Sequence, residues 1–232
     1  MRHSTRWIFV LLGLTPGMLQ AGPPPGEDLV GLLSKVILDV THKTASRDWA
    51  KAARGQTLLS GDMVKTGARS LAIIKLKDNS LVRVREYTEL TVTGSAKGDA
   101  FSKGVAIERG VIGFIVPKQK PEEEFRFRSP TSVASIRGTG GAMIVAGDDT
   151  VTVTEGTVQV ENLISARVVT VTAGFTAISR RDGFIEARAS TRAERETAES
   201  AIRSEDRPRQ LRLQLRNSQG QIEELIIDYK EE

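Results

Sequence analysis

The chain has 232 residues, 33 Lys and Arg against 29 Asp and Glu for a formal charge of +4, and 39% hydrophobic residues. That is the composition of a globular protein and not of a disordered one. It contains no cysteine, which excludes disulfides, thiolate nucleophiles, cysteine-based metal sites and a lipid anchor on a processed cysteine.

Residues 1–21 read as an export signal: Arg2, His3 and Arg6 precede the apolar run Trp7–Leu14, and Leu19-Gln20-Ala21 resembles a small-residue cleavage site. The run is too short to span a bilayer, so no transmembrane helix is expected once the signal is cleaved. Cleavage would remove two arginines and no acid, taking the formal charge from +4 to +2. A nucleic-acid role is not expected of so weak a charge. His42 is then the one remaining histidine, which argues against histidine-based catalysis and histidine metal clusters. Residues 22–28, with Pro23-Pro24-Pro25, read as a linker.

A β-rich region is expected over 29–185. Val30, Leu32, Val36, Leu38 and Val40 share parity, predicting one apolar strand face. Gly61-Asp62 and Gly67 read as turns around Met63-Val64. Ala72, Ile74 and Leu76 alternate with Ile73, Lys75 and Lys77. Asp78-Asn79 offers a tight turn, because both residues tolerate positive φ. On the return strand Val82 and Val84 alternate with Arg83 and Arg85, and the basic side chains are expected to face outward. Leu90 and Val92 begin a strand, and further ones are expected at Val111–Val116, Phe125–Arg128, Ala142–Val145, Thr150–Thr154, Thr157–Val160 and Val168–Thr172. Such short strands with frequent glycine turns predict an all-β antiparallel sandwich or roll. Glu108-Arg109-Gly110-Val111 weakly echoes Glu155-Gly156-Thr157-Val158, and both read as strand–turn–strand corners.

Residues 186–208 predict a charged helix or linker. Thr191 and Glu194 have capping-box spacing, and Arg192–Glu196, Arg195–Glu199 and Glu199–Arg203 can pair one turn apart. Its apolar residues are nearly all alanine, predicting a solvated connecting helix. Residues 209–232 read as a terminal hairpin: Leu211, Leu213 and Leu215, then a turn at 217–220, then Ile222–Ile227. A lone hairpin is marginal in water, so its leucines should be covered by the β domain or by a partner.

The series Trp49, Gly55, Leu58 and Gly61-Asp62-Met63-Val64-Lys65-Thr66-Gly67 resembles the opening of the FecR domain family. Ala72 to Ser80, Leu90-Thr91-Val92, Gly110-Val111-Ile112, Phe127 to Thr131, Val133 to Thr139 and Glu155-Gly156-Thr157-Val158 extend the match in order, and Gly174 ends it. The resemblance covers about residues 30–180. It implies an all-β fold and a cell-envelope location, in the periplasm or outside the cell. Asn79 departs from the glycine usual at that turn. In FecR-type iron-transport regulators an anti-sigma segment and a membrane helix precede this domain, whereas here residues 1–21 are expected to be a signal peptide, so only fold and location are carried over. The motif residues Gly61, Asp62, Gly67, Asp78, Arg137, Gly138, Thr139, Glu155 and Gly156 are expected to be structural.

Other candidate sites read as weak. Arg137-Gly138-Thr139-Gly140-Gly141 could cradle an anion, but it leads into a strand and not a helix. It is expected to be a corner, with Arg137 paired internally to a partly buried carboxylate. Asp148-Asp149 and Glu122-Glu123-Glu124 could hold calcium but lack EF-hand spacing, and solvated loops are expected. Glu108 and Glu155 have no spacing that makes them an acid/base pair, and Ser60, Ser129 and Ser135 have no histidine partner. Trp49, Phe114, Phe125, Phe127 and Phe175 read as core anchors rather than a sugar platform, with Trp49 the exception to watch beside its charged neighbours. No catalytic site, metal or cofactor is expected. The function expected is non-catalytic recognition of an envelope protein or wall polymer. The alternative is a signalling accessory to a TonB-dependent transporter and a sigma/anti-sigma system, acting through a separate transmembrane partner.

Overall fold

The computed structural model describes residues 29–97, 100–119, 125–203, 209–216 and 222–229. The expected signal, the expected linker and the Glu122–Glu124 candidate lie outside them. The strands are β1 (Leu29–Ile37), β2 (Val40–Lys43), β3 (Ala50–Lys51), β4 (Thr57–Leu59), β5 (Met63–Thr66), β6 (Leu71–Leu76), β7 (Leu81–Val84), β8 (Glu89–Lys97) and β9 (Ala100–Val116). After them come β10 (Phe125–Arg128), β11 (Ser132–Ile136), β12 (Thr139–Ala146), β13 (Asp148–Glu155), β14 (Thr157–Asn162), β15 (Val168–Thr172), β16 (Phe175–Ser179) and β17 (Ile185–Ala189). Helix α1 (Arg192–Ile202) and the hairpin β18 (Arg209–Arg216) and β19 (Ile222–Tyr229) close the chain. The fold is all-β with one short helix, as the alternation predicts.

Seventeen strands form two sheets that share β9. The first runs β4-β1-β6-β7-β9-β12-β13-β16-β17. The second runs β3-β2-β5-β8-β9-β10-β11-β14-β15. Among the described residues every pairing is antiparallel except β9–β10. The N-terminal half of β9 pairs in the second sheet and its C-terminal half in the first. It changes sheet at Gly110, which has φ 108° and where a Cβ would lie 2.5 Å from Thr88 Cα. Strands that switch sheets by a local bend are how orthogonal sandwiches turn their corners. One apolar cluster, with Phe114, Phe125, Phe127, Leu33, Leu58, Ile74, Leu90 and Ile107 fully buried, fills the space between the sheets.

A four-strand unit occurs twice. In β5–β8 the two inner strands form a hairpin of the first sheet while the two outer strands pair in the second. In β11–β14 the same wiring recurs. The echo noted in the sequence falls on passages between sheets: Gly110 within β9 and Gly156, with φ 80°, between β13 and β14.

Several expectations are corrected. The shared parity of β1 breaks, because bulges at Leu29/Gly31 and Leu33/Lys35 shift the register. Leu33 is buried while Leu32 and Leu38 are exposed. Arg83 is buried, not outward. The β domain passes the expected limit at 185, since β17 pairs with β16 up to Ala189. Helix α1 has the predicted capping box at Thr191 and Glu194, but it is not simply solvated. Ala198 and Ala201 are buried against Ala142 and Val111 on the outer face of the first sheet. Gly113 admits that approach: a Cβ there would come 2.2 Å from Ala201 O. The Arg188 guanidinium grips Glu194 with two hydrogen bonds of 2.7 and 2.9 Å, tying β17 to the helix and holding the Glu194 carboxyl down to about 2. The terminal hairpin forms as expected, pairing Arg209–Arg216 with Ile222–Tyr229. Whether its leucines are covered concerns side chains outside the described residues.

Candidate functional site

While α1 covers part of the first sheet, the outer face of the second carries a groove of about 530 Å³. Cross-strand register sets its shape. Thr93, Gly104, Arg126 and Ser135 form one row across β8, β9, β10 and β11, and Thr91, Ala106, Arg128 and Val133 form the next. Gly104 and Ala106 make a low floor between taller neighbours. A Cβ at Gly104 would fall 2.8 Å from Thr93 Oγ1, so that position keeps the wall close. Ser60 Oγ at the rim accepts the Gly94 N–H at 3.0 Å.

Phe125 and Phe127 are fully buried, with ring centroids 5.0 Å apart, and Phe127 lies 4.8 Å from Phe114. Strand alternation then sends Arg126 and Arg128 outward, about 6.7 Å apart along β10. The exposed Arg128 guanidinium, beside a floor of small residues, has the fork shape that meets carboxylate or phosphate oxygens. Lys103 borders the groove but turns inward, its ammonium 2.9 Å from Asp78 Oδ2 and 3.2 Å from Gln119 Oε1.

The motif residues do not converge on one site; they hold separate corners. Asp62 is buried and accepts the Leu59 N–H and His42 Nε2, each at 2.9 Å, while His42 Nδ1 contacts Gln56. His42 is thus a buried partner of a turn aspartate. Gly61 has φ 94°. The Gly67 N–H donates to Asp39 O at 2.8 Å. Burial alone would raise the Asp78 carboxyl, but Lys103, Ser80 and Gln119 outweigh it and hold it below the usual carboxylate range. Gly138 has φ 72°, and buried Thr139 donates to Thr157 O at 2.9 Å. Arg137 is a correction: it is exposed and makes no hydrogen bond or ion pair among the described residues, so no buried carboxylate holds it. Glu155 and Glu108 are both exposed, and no described contact joins them.

Asp149 is not in a solvated loop. It is 1% exposed, accepts hydrogen bonds from the Ser129 and Ser132 hydroxyls, and burial pushes its carboxyl above the ordinary range. Ser129 is therefore a turn anchor. Among the described residues no three His, Asp or Glu side chains cluster as metal ligands, and no helix is long and apolar enough to cross a membrane. Phe175 is 42% exposed and not a core anchor, and Trp49 is half-buried at the rim of the second sheet. In the sequence, Phe125–Arg128 shows strand polarity alone. The groove needs the parallel β9–β10 pairing, which brings Gly104 and Ala106 beside the arginines.

The family described as FecR protein matches residues 62–159, a span that opens at the β5 turn and ends within β14, taking in the first four-strand unit and most of the second. Among solved structures, two crystal structures of a candidate anti-sigma factor from Parabacteroides distasonis ATCC 8503, at 1.65 and 2.50 Å resolution, are similar. Their identities are 17% and 16%, each with TM-score 0.48, and the alignment covers 55% of this chain and 59% of theirs. No curated protein matches.

Proposed function

Since residues 62–159 are a FecR family domain, we propose that the protein is a non-catalytic recognition module, exported to the bacterial cell envelope, that binds an anionic wall polymer or an acidic protein segment along its second sheet. The observation that carries this reading is the groove with Arg126 and Arg128 on its wall and Gly104 and Ala106 as its floor. Exposed arginines bind through screened charge, so binding should weaken with salt. The test is co-sedimentation of the purified protein with isolated cell walls and with envelope extract. The double variant Arg126→Ser/Arg128→Ser should lose roughly tenfold in affinity while still melting in one cooperative transition. Equal retention of variant and wild type would overturn the groove as the binding face.

The FecR match favours a second reading, a signalling accessory to a TonB-dependent transporter that acts through a separate transmembrane partner. Cross-linking in envelopes distinguishes the two: capture of a transporter or an anti-sigma protein by the groove face supports the second, and capture of wall fragments the first.

A further inference from the structure

At the other end of the same sheet face lies a separate cleft of about 360 Å³, lined by Asp39, Thr41, Trp49, Lys65, Thr66 and Gly67. This volume is at the small end of small-molecule sites. Trp49 precedes edge strand β3, and the register Thr41↔Lys51 with Thr41↔Lys65 puts its neighbours on the solvent face. The indole is half-buried instead of packed in the core. Lys65 Nζ stands 5.9 Å from the ring centroid, at the outer limit of a cation–π contact, so it does not seal the ring.

The polar groups around the ring are set by the backbone. Asp39 is fixed through its main chain, its N–H donating to Ser70 Oγ at 3.0 Å and its C=O accepting from Gly67 at 2.8 Å. Its carboxylate makes no hydrogen bond or ion pair among the described residues. It lies over Gly67, where a Cβ would come 2.5 Å from Asp39 Oδ2, so glycine is what leaves room for it. Lys65 also reaches Glu89 at 3.8 Å, a contact between partly exposed groups that costs little to exchange.

An aromatic face flanked by a carboxylate acceptor, an ammonium donor and a hydroxyl is the chemistry that holds a sugar ring: the apolar C–H face stacks on the indole while the hydroxyls meet the polar rim. We propose that this cleft is a saccharide subsite that takes one pyranose ring of a wall glycan, with Trp49 as its platform. The inference rests on the recognition reading above and names one ligand class for it.

The chain has two tryptophans, Trp7 and Trp49, so a Trp7→Phe background leaves Trp49 as the sole indole reporter. Titration with the N-acetylglucosamine tetramer should change its fluorescence saturably. Calorimetric titration of the same probe into Trp49→Ala should show binding roughly tenfold weaker or lost, with Trp49→Phe retaining part of it and both variants melting near wild type. Asp39→Asn should weaken binding without moving the melting temperature. If the tetramer leaves Trp49 fluorescence unchanged, or if Trp49→Ala binds it as wild type does, the subsite is overturned. Wall binding that persists in Trp49→Ala and fails in Arg126→Ser/Arg128→Ser would sink the subsite while leaving the groove reading in place.

Discussion

The two four-strand units, β5–β8 and β11–β14, make the same passages between sheets with different chemistry. In the first, the positive-φ positions are side-chain-bearing residues, Arg69 at 54° and Tyr87 at 55°. Hydrogen bonds hold them there: the Arg69 N–H donates to Glu86 Oε2 at 2.6 Å, and the Thr88 N–H donates to buried Thr66 Oγ1 at 3.0 Å. In the second, the equivalent passages use Gly138 at 72° and Gly156 at 80°, with a side-chain bond from Thr139 to Thr157 O. The first unit thus fixes a strained backbone with side chains, and the second avoids the strain but packs so closely that no side chain fits. One topology needs a set of backbone angles, not a residue type.

The sharpest way to break the comparison is a paired alanine substitution. Gly156→Ala puts a Cβ 2.3 Å from Gly138 O at positive φ and should cost about 3–4 kcal/mol. Tyr87→Ala, at an exposed residue already in that conformation, should stay within about 0.5 kcal/mol of neutral. Denaturant midpoints of the two variants measure the difference directly.

The hairpin acids differ as well. Asp78, at the tip of the first unit's hairpin, holds the buried ammonium of Lys103. Asp78→Asn should cost about 3 kcal/mol near neutral pH, because it removes the carboxylate that faces that buried charge at 2.9 Å. The wild-type contribution of Asp78 is present above the usual carboxylate range and lost as pH falls through its lowered value. Next in size is Thr66→Val, which strands the Thr88 N–H and should cost about 2 kcal/mol. Thr139→Val removes a donor to one carbonyl and should cost less.

Asp149, in the second unit's hairpin, has the opposite sign. Its folded-state carboxyl sits above the ordinary value because of burial, so its favourable contribution exists in acid and is lost as pH rises through that raised value. Asp149→Asn should therefore raise the melting temperature near neutral pH and do so less in acid, whereas Asp78→Asn is most harmful near neutral pH. Melting curves against pH for the two variants should run in opposite directions; parallel curves would contradict the opposed shifts.

Much of this architecture is legible locally. The β6–β7 hairpin is written in the alternation of Ala72–Leu76 and Val82–Val84 and in the positive φ of Asn79, and the start of α1 in Thr191 and Glu194. What is not legible depends on distant residues. Gly110 looks like a strand breaker, yet β9 runs through it for 17 residues, because the bend is paid back by pairing on both sides. The bulges in β1 erase a parity that a flat strand would keep. In the groove, Arg126 and Arg128 are readable as outward-facing, but the floor beneath them comes from β9 in parallel register, some twenty residues away in sequence. The Trp49 cleft is partly legible, since an indole beside lysines and an aspartate is a poor core residue.

The sharing of β9 has a consequence for how the molecule comes apart. Its backbone amides are bonded into one sheet along one half and into the other sheet along the other half. Neither sheet can open along this strand without loosening the bend at Gly110 that the other depends on. Amide hydrogen exchange along residues 102–116 should therefore follow a single opening free energy from end to end, with the edge strands β3 and β15 exchanging first. A sandwich stitched in this way loses both layers in one cooperative event and has no stage at which one sheet survives alone.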